Sequence, residues 1–121
     1  MARLGDGWHP VGANPAIPLR PAELRASLDE LRALTAAAER DFSQLTISFK
    51  APVYDAASGP ATLPDGARRP FSGSPAQIAE DISTYAALGV RELIFDFRSP
   101  TASEVVARME RFAGDVLSRA R

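Results

Sequence analysis

The sequence predicts an α/β fold of about three consecutive parallel βα units. Strand-like and helix-like segments alternate along the chain, as a parallel sheet with crossover helices requires. Each helical segment carries an apolar stripe, which needs an apolar strand face to cover it. The strands are too few to close a barrel and few for an open sheet covered on both faces. The chain therefore reads as a single domain over residues 1–121, the C-terminal part of a larger βα enzyme.

The first strand is expected over Arg3 to Trp8, around Gly5-Asp6-Gly7-Trp8. Gly5 and Gly7 there suggest a close backbone approach or a bulge, and Asp6 a local cap or pair. A turn-rich stretch, His9 to Leu19, leads to a helix over Pro21 to Arg40. Pro21 suits a first helical position, where no N–H is needed. Leu24, Leu28, Leu31 and Leu34 form its stripe. The second strand, Gln44 to Lys50, alternates Leu45, Ile47 and Phe49 with Thr46, Ser48 and Lys50. Residues 51–73 follow as a long flexible loop with turn signals at Gly59-Pro60 and Pro64-Asp65-Gly66.

The second helix, Pro75 to Leu88, has Ser74 as N-cap, Pro75 at its first position and Gln77 as capping-box partner. Gly89 fits the left-handed residue after it. The third strand is Glu92 to Phe97. A last helix starts near Thr101, with Glu104 completing a second capping box and Val105, Met109, Phe112 and Val116 as its stripe.

Composition limits the chemistry. Net charge is −1, with 14 basic and 15 acidic residues, and no basic stripe marks a nucleic-acid binder. Thirteen of the 14 basic residues are Arg, a bias that fits an Arg- and Ala-rich genome better than a phosphate-binding role. With no Cys and one His, thiolate catalysis, disulfides, and Cys-based or His-pair metal sites within one chain are excluded. No apolar run reaches the roughly 20 residues that span a bilayer, and no signal peptide opens the chain, so a cytoplasmic location is expected. A dinucleotide fingerprint, a P-loop and a nucleophile elbow are all missing.

If one strand face packs under the helices, Thr46, Ser48, Lys50, Ile94, Asp96 and Arg98 occupy the other. That face grows more polar toward the C-terminal strand ends, where βα enzymes place their sites. Lys50 and Arg98 are candidates for holding an anion, and the alternative is that Asp96 pairs with them as a purely structural trio. His9, on the same rim, is either an acid or base or a loop residue packed beside Trp8 and Pro10. Trp8 either walls a ring-shaped ligand or packs in the core. Tyr54 and Asp55 stand at the root of the long loop, within reach of a pocket.

Leu4-Gly5-Asp6-Gly7-Trp8-His9-Pro10 resembles the A-R-x-G-D-G-W/F segment of the bacterial luciferase-like oxidoreductases. Phe71-Ser72-Gly73-Ser74-Pro75-Ala76-Gln77-Ile78 resembles their G-[ST]-P-x-x-[IV] helix start. Tyr85 through Phe97 and Thr101 to Val116 resemble their last strand unit and closing helix. The resemblance spans nearly the whole chain. It implies a partial (β/α)8 TIM barrel whose strands are the sixth to eighth. It also implies a flavin- or deazaflavin-dependent monooxygenase or hydride-transferring dehydrogenase acting on a small organic substrate. The cofactor of the complete barrel would be FMN or a deazaflavin (coenzyme F-420). Substrate contacts would come from His9, Lys50, Arg98, Trp8 and Asn14, with catalytic residues left unassigned. In the family, most cofactor-binding strands and the phosphate-holding glycine loop precede G-D-G-W. Autonomous activity is therefore not expected, and either a missing N-terminal half or a homo-oligomer is the expected partner. The alternative is a non-catalytic truncated paralogue serving as an oligomeric scaffold or binding module.

Overall fold

The computed structural model describes residues 1–120. Strands β1 (Gly7–Trp8), β2 (Thr46–Val53) and β3 (Glu92–Asp96) form one parallel sheet in the order β1-β2-β3. Helices α1 (Pro21–Ala37), α2 (Pro75–Ala87) and α3 (Ala102–Phe112) follow the strands in turn. Buried side chains of all three helices join one face of β2 in a single cluster, so the helices cover one side of the sheet. A doubly wound sheet instead reverses strand order and carries helices on both faces. Crossovers that all step the same way produce the arrangement seen here.

β1 is shorter than the strand expected from Arg3. Met1 to Leu4 form a turn in which the Leu4 and Gly5 N–H groups donate to the Met1 carbonyl, at 3.1 and 2.7 Å. Pairing begins where the Thr46 N–H reaches the Asp6 carbonyl at 3.0 Å. It resumes past Pro10, which has no N–H to give, through a bridge between Val11 and Lys50. The close approach expected near Gly5 and Gly7 is real at Gly7, where a Cβ would stand 2.6 Å from the Thr46 carbonyl oxygen.

α1 ends earlier than expected. Glu39 takes φ 54°, its N–H donating to the Ala36 carbonyl at 2.9 Å, and the Arg40 N–H donates to the Thr35 carbonyl at 3.0 Å. These two bonds are the Schellman pair that closes a helix, with Glu39 where glycine is commoner. The Arg40 guanidinium then clasps the Ala2 and Gly5 carbonyls at 3.1 and 2.9 Å. The stripe also differs in its last member: Thr35 is fully buried and Leu34 is 53% exposed. At about 100° per residue, Thr35 falls between Leu28 and Leu31, whereas Leu34 sits roughly 80° off the stripe. The Thr35 hydroxyl donates to the Leu31 carbonyl at 2.7 Å, so it is buried without being orphaned.

β2 starts after a short turn, Phe42–Gln44, capped by the Asp41 carboxylate, and runs past Lys50 to Val53. Ile47, Phe49 and Ala51 are buried while Thr46, Ser48 and Lys50 face away, as the alternation predicts. A bulge interrupts this pattern. Lys50 pairs with Ile94 but Val53 with Asp96, so three steps on β2 match two on β3. Pro52, unable to donate to a ladder, lies in the extra stretch. Ala51 and Pro52 are consecutively buried, Val53 is exposed and Tyr54 enters the core.

The loop expected from residue 51 thus begins after Val53. It carries an antiparallel bridge between Thr62 and Arg68 around the Pro64-Asp65-Gly66 turn. Arg68 makes a two-pronged ion pair with Asp81, both bonds 2.8 Å, and the Asp81 carboxylate also accepts the Phe71 N–H at 2.7 Å. These contacts hold Phe71 at φ 61°, a costly conformation for an aromatic residue, and its ring packs 4.7 Å from that of Tyr85.

Both helix starts are as the sequence predicts. Ser74 and Gln77 cap α2, Thr101 and Glu104 cap α3, and Gly89 takes φ 105° after α2. Beyond Phe112, α3 continues as one π turn, Ala113–Leu117. Phe112 and Val116 are buried there, while Met109 of the expected stripe is 50% exposed.

Candidate functional site

The sheet face turned away from the helices carries the polar residues. Ser48 follows Ile47 as His9 follows its partner Trp8, and His9 Nδ1 lies 2.7 Å from Ser48 Oγ. Two residues on, Lys50 Nζ stands 3.7 Å from Asp96 Oδ2, and Arg98 Nη2 is 2.7 Å from the same oxygen. The second Asp96 oxygen accepts the Arg98 backbone N–H at 2.9 Å. That N–H foremost, then the Arg98 guanidinium and the Lys50 ammonium, hold the Asp96 carboxyl below the usual aspartate range against the opposing effect of burial.

The backbone positions this trio. Lys50 is pinned on one side by its N–H to the Pro10 carbonyl (3.0 Å) and its carbonyl to the Gly12 N–H (2.9 Å). On the other side, the Asp96 carbonyl accepts the Tyr54 N–H at 2.8 Å. The Arg98 carbonyl accepts from the Arg108 guanidinium of α3 at 2.9 Å. Two cations share one carboxylate, leaving one positive charge in excess. Lys50 and Asp96 side chains are mostly covered, at 24% and 19% exposure, while Arg98 is 74% exposed. Arg98 can therefore swing to an anion while Asp96 stays tethered to its backbone N–H.

His9, Lys50 and Arg98 are thus brought to one face. Trp8 and Asn14 are not part of this group. Trp8 shares its side of the sheet with its partner Ile47 and packs half-buried against the core, so it offers no wall to the open face. The Asn14 side chain accepts the Ala16 N–H at 2.9 Å and its carbonyl accepts the Ile17 N–H, closing a local turn. Val11 and Ile94, 49% and 43% exposed, supply the apolar part of the open face.

A second group lies beyond the bulge, under the long loop. A cleft of about 230 Å³ there is bordered by Val53, Tyr54, Asp55, Arg69, Phe71 and Arg108, among others. Asp55 accepts from the Ser58 hydroxyl at 2.8 Å and the Ala57 N–H at 3.0 Å, and lies 3.5 Å from Arg108. The Ser58 hydroxyl, then the Ala57 N–H and, more weakly, Arg108 keep the Asp55 carboxyl below its ordinary range. Sequence reasoning singled out Tyr54 and Asp55 at this loop root but not Arg69 or Arg108. Arg108, four residues after the capping Glu104, is at least on a readable helix face; nothing local in the sequence marks Arg69.

Among the described residues no cluster of three or more His, Cys, Asp or Glu is placed to hold a metal ion, and no helix is long and apolar enough to cross a membrane. Comparison with protein-family models finds none that matches this chain, and comparison with curated proteins finds none either.

Proposed function

We propose that this chain is the C-terminal part of a luciferase-like flavin- or deazaflavin-dependent oxidoreductase, a partial (β/α)8 barrel contributing the substrate side of the site. The observation that carries the reading is the uncovered polar face at the C-terminal strand ends of a parallel sheet wound in sequence order, where Lys50 and Arg98 share Asp96. In this reading that face is the barrel interior. Arg98 and Lys50 would hold an anionic substrate group, and His9, steadied by Ser48, would donate to or accept from a polar one.

The fit to a flavin is one-sided. The open face supplies cations and the aliphatic Val11 and Ile94, while the aromatic Trp8, Phe95 and Phe97 belong to the helical side. These residues suit a substrate more than a ring-shaped cofactor, so none is assigned to FMN or coenzyme F-420. A bound flavin or deazaflavin would supply the redox chemistry, and this chain's own part would be to orient the substrate and exclude water. The experiment is to isolate the chain from its source cells with any covalent extension or partner. FMN and coenzyme F-420 binding is then measured by equilibrium dialysis. Saturable binding of either supports the reading; binding of neither overturns it.

A specific observation favours the alternative, an oligomeric scaffold or binding module. The free edge of β3 and the adjoining face of α3 form an apolar groove of about 370 Å³ bordered by Leu93, Phe95, Phe97, Met109, Phe112 and Leu117. Unpaired strand edges beside apolar surface promote association. Light scattering on the purified chain separates the cases: a folded monomer removes the scaffold reading, and a defined oligomer without coenzyme binding supports it.

A further inference from the structure

The loop-covered cleft beyond the bulge is not used by the open-face site. It is bordered by two guanidinium groups, Arg69 and Arg108, and one carboxylate, Asp55. Arg108 lies within ion-pair distance of Asp55 and also donates to the Arg98 and Tyr54 carbonyls. Arg69 has no carboxylate partner among the described residues. Its Nη2 donates to the Gly12 and Ala13 carbonyls, and its Nε–H is buried with no acceptor. A buried guanidinium donor left unmatched costs about 1–3 kcal/mol or more, a deficit that an incoming anion removes. Burial lowers the Arg69 pKa, as expected of a cation short of counter-charge.

The remaining lining is apolar on one side, with Val53, Phe71 and Ile78. The volume, about 230 Å³, is below the roughly 300 Å³ at which drug-sized sites begin, and at about 30 Å³ per water it is worth roughly eight waters. We propose that this cleft binds a small organic carboxylate, its anionic end on the Arg69 Nε–H and its short hydrocarbon part against Val53, Phe71 and Ile78. Charge selects the anion, and the apolar wall favours a carboxylate with a tail over inorganic phosphate. The assignment is independent of the flavin reading, because it uses residues on the other side of the bulge and needs no cofactor.

The test uses the full chain with butyrate as probe and n-butylammonium and inorganic phosphate as controls. Binding is followed by NMR at the Arg69 Nε–H and at the Ser72 and Gly73 amides. The expected result is saturable butyrate binding that moves these resonances, no response to n-butylammonium, and at least tenfold weaker phosphate binding. Arg69→Lys, which keeps the charge but loses the Nε–H, should weaken butyrate at least tenfold. Arg69 also tethers the Gly12 and Ala13 carbonyls, so a second variant, Ala61→Trp at the exposed rim, blocks the cleft without touching that tether. It should abolish binding in a folded protein. The proposal is overturned by no saturable binding, by equal response to butyrate and phosphate, by shifts confined to Lys50 and Arg98, or by undiminished binding in folded Ala61→Trp.

Discussion

Gly12 and Phe49 form a lock whose energy can be worked from the geometry. A Cβ at Gly12 would stand 2.2 Å from Phe49 Cζ and 2.6 Å from Cε1, far inside the 3.5–4.0 Å contact optimum. Phe49 is fully buried, with its ring 4.8 Å from that of Tyr85 and 5.8 Å from that of Phe71, so it has no free direction in which to swing. Gly12 is not in the left-handed region, so the change to alanine introduces no backbone strain and by itself stabilises through the unfolded chain by about 0.4–1 kcal/mol. Overpacking costs about 1–3 kcal/mol, and the net loss for Gly12→Ala is about 1–2 kcal/mol. Phe49→Leu alone should cost about 1–2 kcal/mol, less than the 3–5 kcal/mol of truncation to alanine. In the double variant the new methyl occupies space the ring has left, so the two losses should fall short of additivity by about 1–2 kcal/mol. Urea unfolding of the four proteins gives the coupling from their midpoints at constant m-value. Additivity within 0.3 kcal/mol, about the scatter of independent sites, would refute the clash as the reason for glycine.

Three further outcomes are expected. Tyr85 donates its hydroxyl to the Leu19 carbonyl at 2.7 Å in a fully buried setting, so Tyr85→Phe should lose about 1–1.5 kcal/mol in urea melts. Burial above all, helped by Asp81 and Glu23, raises the Tyr85 pKa. Its contribution is present below the unfolded value of about 10 and is lost as pH rises beyond it, so an alkaline melt should decline there, and less so in Tyr85→Phe. At the acid end, Asp41, Asp55, Asp65 and Asp96 are held below their model value of 3.8, so their contribution is present above about pH 4 and lost as pH falls through the lower folded values. Thermal midpoints from pH 7 down to pH 2 check this, and a flat profile contradicts it. Removing the α2 cap with Ser74→Ala should cost about 1 kcal/mol by the same urea assay, with the fold unchanged by circular dichroism.

The elements with strong local chemistry were legible in the sequence. Ser74-Pro75-Ala76-Gln77 and Thr101 to Glu104 encode helix starts in residues that touch one another, and Gly89 encodes a stop. The alternation of β2 gave the correct faces through Lys50, and with it the gathering of Lys50, Asp96 and Arg98. What was missed depends on distant partners. Leu34 is more apolar than Thr35, yet helical angle and a bond to Leu31 put Thr35 inside. The first strand lost Arg3 to Asp6 because Met1 to Leu4 fold back as a turn and Arg40 clasps the Ala2 and Gly5 carbonyls. Trp8 faces the core because its pairing with Ile47 fixes its side, and register is not a local property. Arg69 went unnoticed because its role exists only once residues 12, 13 and 69 meet.

The bulge at Ala51 to Val53 acts as a parity operation on the chain. Up to Lys50, even-numbered side chains belong to the open face and odd-numbered ones to the core; after it, even-numbered Tyr54 is in the core. The long loop therefore departs from the sheet on the helical side, and its cleft and the Lys50–Asp96–Arg98 face look in opposite directions from one strand. Removing one residue from this stretch would restore unbroken alternation, carrying the Tyr54 phenol to the open face and Asp55 toward the aromatic rings of Phe97 and Phe112. A single codon thus sets which of two surfaces the loop serves, without altering any residue that lines either one.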